Sequence, residues 1–370
     1  MAELHNRRWI LHKRPEGLVT LADIELREEP LGALQPGEVL IRNHYLSIDP
    51  AIRDWMSARP SYLPSIPLGE VVRSTSLGEV IESRHPAFKA GDLAVGVNGW
   101  EDYSIASGDQ LMPVQPMPGE AEQYFLSIYG AVGLTAYFGL LEKGRPQPGE
   151  TVLVSAAAGA VGSLVGQIAR LKGCRAVGIA GSEAKCRWLV DELGFDAAIN
   201  YRTSTNLQEA IREACPNGVD VYFDNVGGEV LDAALMTLNK NARIVFCGAI
   251  SGYNSQQPVP GPYNFWQILA RTVTLEGFLV SDYFDRFPEA IAQVRQWLAE
   301  GKITFREQVV DGLEHCLDTF NLLFEGANNG KLIVRLNPPP QASGGSGLRR
   351  DQLNHATAAS ALAATQEETR

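Results

Sequence analysis

Residues 151–162 read Thr151-Val152-Leu153-Val154-Ser155-Ala156-Ala157-Ala158-Gly159-Ala160-Val161-Gly162. Residues 151–155 suit a short buried strand, and a turn of small residues follows. Beyond the turn, Val161, Leu164, Val165, Ile168 and Leu171 recur at helical spacing. A strand, a glycine-bearing turn and a helix in this order form a dinucleotide fingerprint, here with Ala157 at the first glycine position. Small residues let backbone amides approach a pyrophosphate, and the start of the helix adds partial positive charge. Ala157, Gly159, Ala160, Val161 and Gly162 are therefore candidate cofactor-binding residues. A tight helix–strand turn without a ligand is the structural alternative.

The pattern around this stretch repeats it. Residues 176–180, 219–224 and 242–247 read as further apolar strands, and 185–193 and 285–301 as helices. Strands separated by helical patterns predict an α/β unit with a doubly wound parallel sheet. The first 120 residues differ. Residues 37–42, 77–82 and 89–96 read as short strands between glycine and proline turns, which predicts a β-rich, barrel-like unit. It ends near residues 112–118, where Pro113, Pro116 and Pro118 exclude regular helix. Residues 331–336 read as a closing strand. The domain expectation is a β-rich unit over 1–125 and 305–337, a nucleotide-binding unit over 126–304, and a disordered tail over 338–370.

The second strand of the parallel unit decides the cofactor. A ribose-binding carboxylate is expected about 20 residues after the glycines for NAD. Here the strand runs into Ile179-Ala180-Gly181-Ser182, with no carboxylate at its end. Ser182 offers a hydroxyl and Lys185 a positive charge, which suit a 2′-phosphate and favour NADPH; Glu183 argues against it. A second glycine turn, Asp224-Asn225-Val226-Gly227-Gly228, also follows a strand, so Asn225 should reach the same crevice.

Composition removes several alternatives. The 32 basic and 43 acidic side chains give a net charge of −11, which repels nucleic acid. Cys174, Cys186, Cys215, Cys247 and Cys316 match neither a disulfide framework nor a zinc site and fit a reducing cytoplasm. Residues 1–14 are polar and basic, unlike a signal peptide. No run of about 18 apolar residues appears, so no membrane span is expected.

Together these residues resemble the medium-chain dehydrogenase/reductase superfamily. More narrowly the chain is similar to its zinc-free prostaglandin reductase, leukotriene dehydrogenase and curcumin reductase branch. The matching stretches include Leu46-Ser47-Ile48-Asp49-Pro50, Gly133-Leu134-Thr135-Ala136-Tyr137, Phe223-Asp224-Asn225-Val226-Gly227-Gly228, Cys247-Gly248-Ala249-Ile250-Ser251 and Asn329-Gly330-Lys331. The resemblance implies a GroES-like catalytic domain, a Rossmann domain, NADP(H) and a homodimer joined near 242–249 and 273–278. It implies that Ser182, Lys185 and Tyr201 hold the 2′-phosphate and adenosine. Asn225, Cys247, Ile250 and Asn329 would hold the ribose and nicotinamide end, with Thr135 beside the nicotinamide. Gly69-Glu70-Val71 stands where zinc enzymes of the superfamily carry Gly-His-Glu, so no metal is expected. Ala51 and Ala131 replace a tyrosine and a methionine found in many relatives, which implies a wider acceptor pocket.

The implied substrate is a small α,β-unsaturated ketone or aldehyde. The candidate donors to its carbonyl oxygen are the nicotinamide ribose hydroxyl and, as candidate catalytic residues, Tyr62 and Tyr253. A quinone reductase, a zinc-free alcohol dehydrogenase, and a non-catalytic NADPH-binding sensor or structural protein are the competing readings.

Overall fold

The computed structural model describes residues 4–336. The tail expected over 338–370 lies outside the described residues.

The N-terminal strands form where apolar residues alternate and glycine or proline interrupts them. They are β1 (His5–Leu11), β2 (Ile24–Pro30), β3 (Glu38–Ile48), β4 (Arg73–Ser83), β5 (Leu93–Gly99), β6 (Tyr103–Ser107) and β7 (Met112–Val114). Helix α1 (Ala51–Trp55) leaves the end of β3 at Pro50. β1 and β2 pair as a separate ribbon, while β3, β4, β5 and β7 form an antiparallel series. The long β3 serves two neighbours on one side. Its first half pairs with β6 and its second half with the last strand of the chain.

The middle of the chain builds the parallel sheet. After α2 (Ala131–Phe138), β8 (Thr151–Val154) leads into α3 (Ala160–Leu171), and β9 (Arg175–Ala180) into α4 (Glu183–Arg187). β10 (Ala197–Asn200), α5 (Leu207–Ala214), β11 (Val219–Asp224), α6 (Gly228–Leu235) and β12 (Leu238–Phe246) follow, then α7 (Gln267–Ala270), β13 (Thr274–Gly277) and α8 (Phe287–Ala299). The order β10-β9-β8-β11-β12-β13 is doubly wound and reverses between β8 and β11. Strand residues alternate between two buried faces. Val152 and Val154 share a core with Leu164, Val165 and Ile168 of α3, whereas Leu153 faces Ile211, Leu231 and Leu235 on the other side. The Rossmann expectation is met, together with a β-rich sheet.

β14 (Glu307–Asp311), α9 (Cys316–Glu325) and β15 (Lys331–Arg335) return the chain to the first sheet, where β15 pairs antiparallel with β3. Two expected helices differ in detail. The helix expected over 185–193 ends at Arg187 and widens into a π-type turn over Trp188–Glu192, which puts both Trp188 and Leu189 into the core. The helix expected over 285–301 starts at Phe287, where Pro288 suits a first turn; a 3₁₀ stretch precedes it.

Helix α3 lies close to the segment before β10. A Cβ on Gly166 would sit 1.9 Å from the ring of Phe195, itself 2% exposed. Replacing Gly166 with alanine should therefore cost about 1–3 kcal/mol of stability through overpacking. Urea denaturation would measure it, and an unchanged midpoint would show that the ring has room to move.

Candidate functional site

The carboxyl ends of β8, β9, β11, β12 and β13 open onto one edge, the side on which doubly wound sheets bind ligands. The fingerprint turn lies at the reversal point. Ala156 adopts φ 47°, a left-handed conformation costly for a side chain, and so folds the turn tightly. A Cβ on Gly162 would lie 2.5 Å from the Ala156 carbonyl, so glycine is required there. A Cβ on Gly159 would meet only that same oxygen, at 3.1 Å, so its outer face is open. Ala160 and Val161 begin α3 and are half-buried, and Ala157 is fully buried beneath them.

Asp224 joins this turn to the next. Fully buried at the end of β11, it accepts through Oδ1 from Ser155 Oγ (3.0 Å), Tyr222 Oη (2.8 Å) and the Val226 and Gly227 amides (3.0 Å each). Burial pushes its carboxyl above the usual carboxylate range, and these donors pull against that. Asn225 donates its amide N–H to Ser155 Oγ at 2.8 Å and its Nδ2 to the Ser155 carbonyl at 2.7 Å. Two loops on the same edge are thus locked together.

The loop after β12 is tied to the same turn. The Cys247 and Gly248 amides donate to the Asp224 carbonyl, the Ile250 amide to Asn225 and the Ser251 amide to Val226. Burial pushes the Cys247 thiol up to about 12, so it stays protonated and unreactive. Tyr253 closes this loop. Its hydroxyl accepts the Ala249 N–H at 3.3 Å, which leaves its own proton available to another partner. Burial raises this phenol above the ordinary tyrosine range, so it is neutral near pH 7. Arg59 Nη2 donates to the Tyr253 carbonyl at 3.0 Å, and buried Arg53 donates to Asn254 Oδ1 at 2.9 Å. Both arginines belong to the α1 region, so the β-rich part of the chain holds this loop. Tyr62 is half-exposed and edge-on to Trp55.

The remaining expected residues fall into two groups. Ser182 caps α4, accepting from the Lys185 amide, while Tyr201 closes against Gly181, whose Cβ would lie 3.1 Å from the ring. Glu183 accepts from Asn200 Nδ2 at 2.7 Å. Asn329 is exposed on the loop before β15, and its amide donates to Gln308. Thr135 is half-buried in α2. Of the two alanine positions, Ala131 lines a cavity of about 350 Å³ with Val97, Leu134, Phe284 and Phe287, and Ala51 does not. Among the described residues, no cluster of His, Cys, Asp or Glu could hold a metal ion.

Sequence reasoning passed over several contributors. Ser155 and Asp224 lay inside the quoted motifs, but their buried partnership joins positions 69 residues apart. Arg53 and Arg59 act across the fold on a loop far along the chain.

Two family models match the chain: an N-terminal domain of oxidoreductase over residues 7–114 and a zinc-binding dehydrogenase over residues 160–296. The chain is 42% identical to the NADPH-dependent curcumin reductase of Escherichia coli over 336 residues, covering 90% of this chain and 97% of that protein. It is also 42% identical to prostaglandin reductase 1 of Bos taurus, covering 90% and 99%. The crystal structure of CurA from Vibrio vulnificus in complex with NADPH superposes with a TM-score of 0.85 at 41% identity, covering 90% and 100%.

The turn makes a direct prediction. Replacing Gly162 with alanine pushes the Ala156 carbonyl and tilts the start of α3. NADPH binding, followed by calorimetry, should weaken roughly tenfold to a hundredfold, the worth of one charge-assisted hydrogen bond. Unchanged affinity would mean that the turn does not contact the pyrophosphate.

Proposed function

Because the chain belongs to the zinc-free reductase branch of the medium-chain dehydrogenase/reductase family, we propose that it reduces the carbon–carbon double bond of α,β-unsaturated ketones and aldehydes with NADPH. The observation that carries this reading is the Tyr253 hydroxyl, which accepts rather than donates within the protein and hangs on a loop bound to the turn after β11. In this reading residues 1–125 and 305–337 form the catalytic unit and 126–304 the nucleotide unit.

The residues fit NADP(H). Gly159, Ala160 and Val161 would face the pyrophosphate, with buried Ala157 and Gly162 packed beneath them to close the turn. Ser182, Lys185 and Tyr201 receive the 2′-phosphate and adenosine; Asn225, Cys247, Ile250 and Asn329 receive the ribose and nicotinamide, next to Thr135. When bound, the cofactor supplies a hydride to the β-carbon of the acceptor. Negative charge then develops on the acceptor's carbonyl oxygen as an enolate, and a preorganised donor lowers that barrier. Tyr253 is that donor, kept neutral by burial and held by Arg59. Tyr62 is the second phenol at this place. Protonation of the α-carbon completes the reduction.

Conjugation activates the acceptor, so zinc is not required. Gly69-Glu70-Val71 and the lack of cysteine before Cys174 support this, although one matching family model is named for zinc. The cavity beside Ala131 supports a preference for bulky enones. The five free cysteines support a cytoplasmic location. No helix among the described residues is long and apolar enough to cross a membrane.

The function is tested by following NADPH oxidation with a long-chain enal, an aryl enone, a quinone and a simple aldehyde, with and without a chelator. Chelator-insensitive turnover is expected with the enal and enone, highest for the bulky enone, and Tyr253→Phe should lower kcat by about a hundredfold. Turnover of quinone alone would move the assignment to a quinone reductase. No turnover despite NADPH binding would favour a sensor.

The parallel sheet also supports the homodimer. Strand β13 is an edge, and β12 lies one strand inside it. Leu275 on that edge is 41% exposed, and Trp266 and Leu269 beside α7 are 69% and 66% exposed. Light scattering should give twice the chain mass, and Leu275→Arg should shift it toward one chain. A monomeric parent would refute the assembly.

A further inference from the structure

Arg202 follows Tyr201 and belongs to no motif in the sequence. Its Nη2 donates to the Glu325 carbonyl at 2.9 Å. Lys185 Nζ donates to the Gly326 carbonyl at 3.0 Å. These carbonyls end α9, whose C-cap Gly326 is left-handed at φ 66°. The last carbonyls of a helix carry partial negative charge. Two cations from the edge of the parallel sheet are therefore held side by side against a helix end from the other part of the fold.

That arrangement is under electrostatic tension. Burial, and then the charge of Arg202, lower the Lys185 ammonium below the ordinary lysine range. Neutral carbonyls offset the repulsion only in part, whereas a dianion would offset it fully. The Arg202 guanidinium also lies 5.9 Å from the Tyr201 ring centroid, so the ring and the charge approach one place together. The carboxylate that would compete there, Glu183, is occupied by Asn200.

We propose that Arg202 is a specificity-determining residue for NADPH. With Lys185 it forms a two-cation cradle for the 2′-phosphate, and the C-terminal carbonyls of α9 hold that cradle in place until the phosphate arrives. The proposal rests on the placement of the 2′-phosphate at Ser182 and Lys185. Arginine suits the role because its planar fork donates two hydrogen bonds to a phosphate at once. NADH lacks the phosphate and gains nothing from either cation.

Calorimetric titration of the full chain with NADPH, NADH and 2′,5′-ADP tests this without turnover. Arg202→Gln should weaken NADPH and 2′,5′-ADP roughly tenfold to a hundredfold and leave NADH within about twofold. Arg202→Lys, which keeps the charge, should recover part of that loss. Unchanged NADPH affinity in Arg202→Gln, or an equal loss for NADPH and NADH, overturns the proposal. Lys185→Gln separates the two levels of the argument. If it relaxes the NADPH preference while Arg202→Gln does not, the 2′-phosphate placement stands and only Arg202 is removed. If neither change relaxes the preference, the phosphate lies elsewhere and both fail.

Discussion

The site depends on one buried carboxyl. Asp224 holds Ser155 through its side chain, and Asn225 beside it grips the Ser155 carbonyl. These contacts bridge β8 and β11, the two strands between which the sheet reverses. A doubly wound sheet opens a crevice at that reversal, because its connections leave in opposite directions. An open crevice would let its two loops drift. Here the donors converging on Asp224 fix them, and the Cys247 and Gly248 amides bring in the loop of Tyr253 through the Asp224 carbonyl. The fingerprint turn and the Tyr253 phenol are thereby positioned by a single strand end.

A second linkage runs through two consecutive residues. Gly330 bridges in parallel to Gly159 at the nucleotide turn. Lys331, 3% exposed, donates to the Ile48 carbonyl at 2.9 Å and to Asp49 Oδ1 at 2.8 Å. A Cβ on Gly330 would lie 2.1 Å from the Arg306 carbonyl, so the close approach needs glycine. Burying the Lys331 ammonium is tolerable because a carboxylate and a carbonyl receive it. The loop that carries Asn329 therefore ties the fingerprint turn to the end of β3. In sequence, the long stretch from β8 to β13 is inserted between strands of one mixed sheet.

Much of this was legible in the residues. Short continuous apolar runs separated by helical patterns, such as the run after Gly162, gave the parallel sheet, because those patterns are local. The fingerprint turn, Asn225 and the loop at 247–253 were legible for the same reason. Contacts across the fold were not. Nothing near Arg53 or Arg59 in the sequence reveals that they hold residues 253–254. The π-type turn at 188–192 was also hidden, since Trp188 and Leu189 satisfy a helical pattern until the core demands both of them. Ala51 and Ala131 looked equivalent as small-for-large replacements, yet only Ala131 lines the cavity.

In the metal-free reading proposed above, the burden of polarising the acceptor falls on hydrogen-bond donors that the fold must aim. Zinc polarises a carbonyl by its charge, whatever the fine orientation of nearby donors. A phenol must instead be neutral, aimed and unoccupied. Burial meets the first requirement for Tyr253. Arg59 and the Asp224 junction meet the second by gripping its loop from both parts of the fold. The Ala249 amide meets the third, since it donates to the phenol oxygen and so leaves the proton uncommitted. In that reading the network around the loop would take the place of a metal's coordination sphere, built from hydrogen bonds that fix where a donor points.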